Sequence, residues 1–546
     1  MTNYKYFMTS ILFLSTAGLM SACSLDDAVR LKSDGSTQRL ADPVVELDSG
    51  EIAGTATAES EAFLGIPYAK APIGDLRWRS PEPVEAWDEA RDAKEFGSDC
   101  MQKPYKEDPA PLTTTPSEDC LFINVWRPAE TRSVAGLPVM VWIHGGGFVN
   151  GGTSSAVVDG AQFAKQGVIL VSFNYRLGRF GFFAHPALSK ADEGPLGNYG
   201  FQDQLEALRW VQRNIRNFGG DPEKVTVFGE SAGGASVVQW LTSKESEGLF
   251  QQAAVLSGGG RDFILGGLPL HEDDPLTFDA EKAGLGFAVS KGITGKDQNA
   301  LTSLRKLPAD EVVGDLDFRK IVESLGEPNL TYAGGPIIDG ETVVSLPQDA
   351  FEKGRFARVP LIIGTTSLDI GVSPAKSKDA LFDTFGDEAD AAREFYDPDG
   401  TKTLLQLIIE VGVDRMMHEP AIFVATKYSE AGTPSYVYRF GYVAETQRPA
   451  IPGAVHASEV PFLFNTLSAR FPDDVSGQDQ ETADAMQGYF VSFAQSGTPE
   501  VEGQPAWEQF DPEADEILQF TMDKGVIFAV DPWKDRLDLV SRHNDL

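Results

Sequence analysis

Residues Phe218–Gly234 read FGGDPEKVTVFGESAGG. Val225–Phe228 is a short apolar run of β-forming residues, and Ala235–Leu241 reads as a buried helix. Between them, Gly229-Glu230-Ser231-Ala232-Gly233 matches G-x-S-x-G. A strand, a tight turn with serine at its apex and a helix make a nucleophile elbow. Both outer glycines are required, because a side chain at either would clash where strand and helix almost touch. The strained turn pushes the Ser231 hydroxyl outward at the helix N-terminus. Backbone N–H groups and the helix dipole favour a developing anion there. An incidental serine in a Gly-rich loop would give the same five letters, but the strand before and the helix after favour the elbow.

A second element supports it. Val139–Ile143 (VMVWI) reads as a buried strand, followed directly by His144-Gly145-Gly146-Gly147-Phe148. This is an HGGG-type loop, the other half of an oxyanion hole. Glycine lets the backbone turn its amides inward and come close to a substrate. The expected oxyanion donors are the N–H groups of Gly146, Gly147 and Ala232.

At these residues the chain resembles the type B carboxylesterases, the α/β-hydrolases that include the cholinesterases. The resemblance runs from about Val44 to the C-terminus. Its landmarks are FLGIPYAKAP (Phe63–Pro72), SEDCLFINVW (Ser117–Trp126), WIHGGGF (Trp142–Phe148), NYRLGRFGF (Asn174–Phe182), GNYGFQDQLEALRWVQRNI (Gly197–Ile215), the elbow, and GAVHASEVPFLF (Gly453–Phe464). It implies an α/β-hydrolase fold: a large, mostly parallel, twisted central sheet flanked by helices, with long insertions over the active site. No internal repeat or long linker interrupts the chain, so residues 43–546 are expected to form one catalytic domain. The Pro/Thr patch Pro109–Pro116 reads as a loop.

The resemblance also implies a triad in the order serine, acid, histidine. Of six histidines, His144 belongs to the glycine loop, His543 to the tail, and His185, His271 and His418 to segments without a matching motif. His456 lies in GAVHASEV, which matches the family's catalytic-histidine loop. An imidazole is needed to take the serine proton and return it to the leaving alkoxide. For the acid, the family has a strand, a glycine, and a glutamate five positions on. Here Leu361–Ile363 is the strand, Gly364 the glycine, and Asp369 stands at the fifth position, one methylene shorter. Asp339, in GGPIIDGE, is the rival, although its Asp-Gly pair is better explained as a turn. Glu230 and Ser257 match family positions near the triad, and each could equally be a satisfied buried polar residue. The implied reaction is ester hydrolysis through an acyl-enzyme on Ser231, with His456 as base and Asp369 orienting it. An ordinary imidazole would give an acidic limb around pH 6–7. No metal cluster or cofactor motif is present, and none is expected.

In this family the cysteine of the EDCL motif pairs with an upstream cysteine, which implies a Cys100–Cys120 disulfide. Cholinesterases carry within that loop a tryptophan that stacks on quaternary ammonium. Between Cys100 and Cys120 there is no tryptophan, and Tyr105 is the only aromatic residue, so choline esters fit poorly. Amide or lactone hydrolysis is an alternative. So is a surface adhesion role of the same fold without catalysis, although such relatives typically lack the nucleophile.

The formal net charge is −35, from 81 acidic against 46 basic residues. No basic run marks a nucleic-acid footprint, and the acidic balance disfavours tight binding of polyanions. The expected partner is a small-molecule ester. Residues 1–22 read as an export signal, because Phe7–Met20 is apolar but too short to span a bilayer. Leu19-Met20-Ser21-Ala22-Cys23 resembles a bacterial lipobox, making Cys23 the lipidated residue and Ser24–Asp42 a polar tether. Met20 departs from the usual leucine, and the basic region is thin. The expected location is periplasmic or at the cell surface, anchored to the outer membrane by the N-terminal lipid alone.

Overall fold

A computed structural model of the chain describes residues 42–105, 108–261, 267–274, 276–323 and 331–544. The expected signal, Cys23 and the tether up to residue 41 lie outside the described residues.

Eleven strands form the main sheet. In chain order they are β1 (Thr55–Ala56), β2 (Ser60–Pro67), β3 (Phe122–Pro128), β4 (Leu137–Ile143), β5 (Ile169–Phe173), β6 (Gly220–Glu230), β7 (Gln252–Leu256), β8 (Leu361–Thr366), β9 (Ser435–Phe440), β10 (Glu516–Thr521) and β11 (Gly525–Val530). Across the sheet they run β11-β10-β9-β8-β7-β6-β4-β5-β3-β2-β1. Pairing is parallel from β10 through β5. It turns antiparallel at both margins. Six helices matter below: α1 (Tyr199–Asn214), α2 (Ala232–Thr242), α3 (Leu404–Val413), α4 (Glu419–Glu430), α5 (Gly477–Ser496) and α6 (Lys534–Ser541).

The alternation of side chains along each strand divides the core in two. Val139, Val141 and Ile143 of β4, Val225 and Val227 of β6, and Leu361 and Ile363 of β8 face one way, onto α2 and α4. Met140, Trp142, Phe228 and Ile362 face the other way, onto α5. Central strands covered on both faces read as unbroken apolar runs, which is why VMVWI and LII carry no polar alternation.

Two charged residues of the sequence landmarks, Arg176 and Glu118, are held in two-pronged ion pairs. Arg176 makes two side-chain hydrogen bonds of 2.7 Å to Asp203, tying the NYRLGRFGF segment to α1. Arg77 grips Glu118 of the SEDC segment in the same two-pronged way, at 2.7 and 2.6 Å. The Cys100 and Cys120 sulfurs are bonded to each other. Lys378–Phe382 and Ala389–Tyr396 are helical, and with the C-terminal Leu539 and Val540 they close a small apolar cluster of their own.

Phe228 shows what holds the sheet centre. Its ring is fully buried and lies 5.0 Å from Trp142, 6.1 Å from Phe163 and 6.0 Å from Phe464, centroid to centroid. Phe228→Ala is expected to cost about 3–5 kcal/mol through lost burial and the cavity left behind. Denaturant unfolding followed by circular dichroism measures this, and a change under about 1 kcal/mol would show that the cluster is not what holds the sheet.

Candidate active site

The elbow is built as the glycine spacing requires. Helix α2 begins at Ala232, immediately after Ser231 and three residues before the apolar run that marks it in the sequence. A Cβ placed on Gly233 would lie 1.9 Å from the Ile143 carbonyl oxygen, and one on Gly229 would lie 2.5 Å from the Gly233 carbonyl carbon. Strand and helix therefore pass at a distance only glycine permits. Ser231 takes φ 56°, a left-handed conformation costly for a residue with a side chain. Its own N–H donates to the Leu256 carbonyl at 2.9 Å, locking the turn to β7.

The glycine loop leans on this turn. A Cβ on Gly145 would meet Ser231 Cβ at 3.0 Å and Glu230 oxygens at 2.7 Å. Gly146 and Gly147 have φ +104° and +61°, conformations that turn their peptides away from the strand path. Ala232 opens α2, so its N–H is among those without an intrahelical partner. His144 itself is structural. It stacks on Tyr175 with ring centroids 4.4 Å apart, and its carbonyl accepts from the Tyr175 hydroxyl at 2.9 Å. Burial holds its imidazole down at about 4, hence neutral.

Two further segments fasten onto the same loop. Gln102, just past Cys100, exchanges hydrogen bonds with Gly151 at 2.6 and 3.0 Å, and Asn150 donates to the Lys103 carbonyl at 2.7 Å. Phe318 donates its N–H to Asn150 at 2.7 Å, and its ring covers Gly147, where a Cβ would approach to 2.9 Å. Tyr105 lies 6.1 Å from that ring, so the two form an aromatic wall beside the expected oxyanion donors.

Asp369 and His456, 87 residues apart, come together at 2.5 Å between Oδ1 and Nδ1. Their loops are joined by backbone: Leu368 N–H donates to the Ala454 carbonyl at 2.8 Å, and Ala454 N–H to Ser367 Oγ at 3.0 Å. The Asp369 carboxylate also accepts from Ser257 Oγ (2.6 Å), Thr366 N–H (3.1 Å) and Ile370 N–H (2.8 Å). Burial alone would push this carboxyl up. The charge of His456 and the hydrogen bonds outweigh burial and hold it at about 2. Asp339, the rival, is used elsewhere: it accepts from Asn198 at 2.9 Å and from the amides of Glu341 and Val343 at 3.0 and 2.9 Å.

His456 reaches the elbow through Glu230, whose Oε1 lies 3.1 Å from Nε2. The two atoms form no aligned hydrogen bond. Burial pushes the Glu230 carboxyl up to about 7; the attraction of His456 opposes this, and the charges of Asp369 and Asp108 add to it. A third carboxyl, Glu459, was not legible as part of the site although it lies three residues after His456. It is fully buried, neither oxygen meets a donor among the described residues, and burial raises it well above the usual range. Burial works against a charged His456. The carboxylates of Glu230 and Asp369 nevertheless outweigh it and hold the imidazole above its ordinary 6.5. Among the described residues no cluster of His, Cys, Asp and Glu is placed to hold a metal ion.

A glycine-walled elbow serine, an HGGG loop and an Asp–His pair at the ends of parallel strands define an α/β-hydrolase. The chain belongs to the carboxylesterase family, which matches residues 41–531. It is 35% identical over 493 residues to the fumonisin B1 esterase of Sphingopyxis macrogoltabida, covering 86% of this chain and 85% of the relative. It is 33% identical over 507 residues to the para-nitrobenzyl esterase of Bacillus subtilis, covering 90% and 96%. A solved PNB esterase superimposes with a TM-score of 0.74 at 31% identity, covering 92% of this chain and all of that one. The protein is a hydrolase of carboxylic esters.

The Glu230 carboxylate raises the His456 pKa, so removing its charge must lower it. Glu230→Gln is therefore expected to move the acidic limb of kcat/KM to lower pH. The wild-type limb should lie above the ordinary imidazole value. Rate profiles for both enzymes on one p-nitrophenyl ester measure this. An unmoved or upward-moving limb in the variant would refute the coupling.

Proposed function

We propose that ester hydrolysis proceeds through an acyl-enzyme on Ser231. His456 Nε2 takes the Ser231 proton as Oγ bonds to the acyl carbon, and Asp369 holds the ring and balances its charge. The amides of Gly146, Gly147 and Ala232 receive the oxyanion. The carbon–oxygen bond to the alcohol breaks, and the alkoxide leaves with the proton from His456. Water then adds under the same base and releases the acid and free Ser231. The observation carrying this reading is the 2.5 Å Asp369–His456 contact, set beside an elbow whose serine has φ 56°. Ser257 and Glu230 are companions of the pair rather than members of the triad. Retention of Ser231, Asp369 and His456 argues against a purely adhesive role.

The substrate is a small-molecule ester whose acyl or alcohol part lies against Phe318 and Tyr105. Similarity to esterases named for fumonisin B1 and para-nitrobenzyl esters makes both compound types suitable assays, beside p-nitrophenyl esters of increasing acyl length. Residues 43–546 act as one catalytic domain. Residues 1–22 direct export, and Cys23 carries the lipid that anchors the enzyme to the outer membrane through the 23–42 tether. Among the described residues no helix is long and apolar enough to cross a membrane.

Ser231→Ala should fold normally yet lose at least about 10³-fold in kcat, as losing one member of such a unit does. A serine-directed organophosphorus probe should label wild type and not the variant, and labelling elsewhere would overturn the assignment. In a producing bacterium, wild type should fractionate with membranes, while Cys23→Ser should be released or remain unprocessed. A wild-type protein found free of membranes would refute the anchor and leave the enzyme reading untouched.

A further inference from the structure

His418 belongs to no motif, yet it is among the most thoroughly engaged side chains in the molecule. It ends a single π-helical turn, Asp414–His418, inserted between α3 and α4. Such turns shift a helix face locally and occur often at functional positions. The ring is 1% exposed and packs against Trp533 with centroids 4.8 Å apart. Its Nδ1 lies 2.9 Å from Asp414 Oδ1, and its Nε2 lies 2.9 Å from the carbonyl oxygen of Thr366.

The Thr366 carbonyl fixes one proton. A backbone carbonyl can only accept, so Nε2 carries a hydrogen. Asp414 receives the Tyr396 hydroxyl at 2.5 Å and Arg536 Nη2 at 2.9 Å, and Arg536 Nε lies 2.7 Å from Oδ2. Burial would raise this carboxyl, but the His418 hydrogen bond and the Arg536 charge outweigh it, so Asp414 stays ionised. Its Oδ1 faces Nδ1, so both ring nitrogens of His418 are engaged. The other charges nearby are already paired: Glu419 with Arg261, and Arg439, which lies over Trp533, with Asp531.

Thr366 ends β8, and the turn after it presents Asp369. The peptide between Thr366 and Ser367 is held on both sides: its carbonyl by His418, and its N–H by the Phe440 carbonyl at 2.8 Å. Thr366 N–H, one peptide earlier, donates to Asp369.

We propose that His418, held in place by Asp414, clamps the Thr366–Ser367 peptide and thereby sets the turn that aims Asp369 at His456. It is a positioning residue for ester hydrolysis, and the proposal rests on Asp369 being the acid of the triad.

The test uses the intact enzyme, with active sites titrated by an organophosphorus probe. His418→Phe keeps a flat ring against Trp533 and removes both ring nitrogens. It should lower kcat per titrated site by about tenfold or more, with KM within about threefold, the pattern of a misaligned catalytic group. His418→Gln restores one donor to Thr366 and should recover part of the loss. In the double variant His418→Phe/Asp369→Asn, the rate should be no lower than with Asp369→Asn alone, because both act through one group. Wild-type kcat per site in both His418 variants, with only the melting temperature reduced, would overturn the proposal. So would losses that multiply in the double variant. A fully active Asp369→Asn would instead remove the triad reading beneath it. Should the His418 variants not fold, a nitrogen-15 spectrum of histidine-labelled wild type decides. Nε2 of His418 should carry the hydrogen that meets the Thr366 carbonyl, and a bare Nε2 would overturn the proposal.

Discussion

The site depends first on how closely a strand and a helix can pass. Where β6 gives way to α2, a methyl group at Gly233 would sit 1.9 Å from the carbonyl oxygen of Ile143. That contact lets β4 end beside the elbow, and the end of β4 is where the glycine loop begins. Separating strand and helix by even one methyl would withdraw Ser231 from that loop. The backbone strain at Ser231 follows from the same crowding, and the buried sheet on either side holds it in place.

Electrostatics supply the second layer. Three carboxyls, Asp369, Glu230 and Glu459, converge on one imidazole in a site largely closed to water. They do not behave alike. Asp369 is held ionised by four donors, whereas Glu230 and Glu459 lack aligned donors and are pushed towards the neutral form. Burying an unpaired charge is expensive, so the site keeps one firm anion where it is bonded, while the Glu230 charge is favoured only by His456 beside it. Unlike environments thereby set three similar carboxyls apart around one ring.

The sequence was most legible where the backbone itself imposes residue types. The elbow and HGGG loop could be read because only glycine meets their spacing and torsion requirements. His456 could be found through the motif around it. Asp369 was harder: spacing from Gly364 favoured it, but Asp339 has an equally acidic side chain. Only the three-dimensional path reveals that Asp339 is occupied by Asn198 and two turn amides. Glu459, Phe318 and His418 left no readable signal. Their partners lie far away in sequence, and nothing in the local backbone demands them. The helix after the elbow begins three residues earlier than its apolar run, because Gly233 and Gly234 are helical for want of space rather than by propensity.

The disulfide bears on how the enzyme should be made. The Cys100–Cys120 loop carries Tyr105, and its first residues are hydrogen-bonded to Asn150 and Gly151 beside the glycine loop. Neither cysteine lies in a strand of the main sheet, in the elbow or in the loops that carry Asp369 and His456. Production in a reducing cytoplasm would remove that crosslink and loosen the segment that carries Tyr105 beside Phe318. Preparations of identical sequence could then differ in which esters they prefer while matching in their count of reactive serines. Thiol oxidation state therefore belongs among the variables to be controlled in any substrate survey.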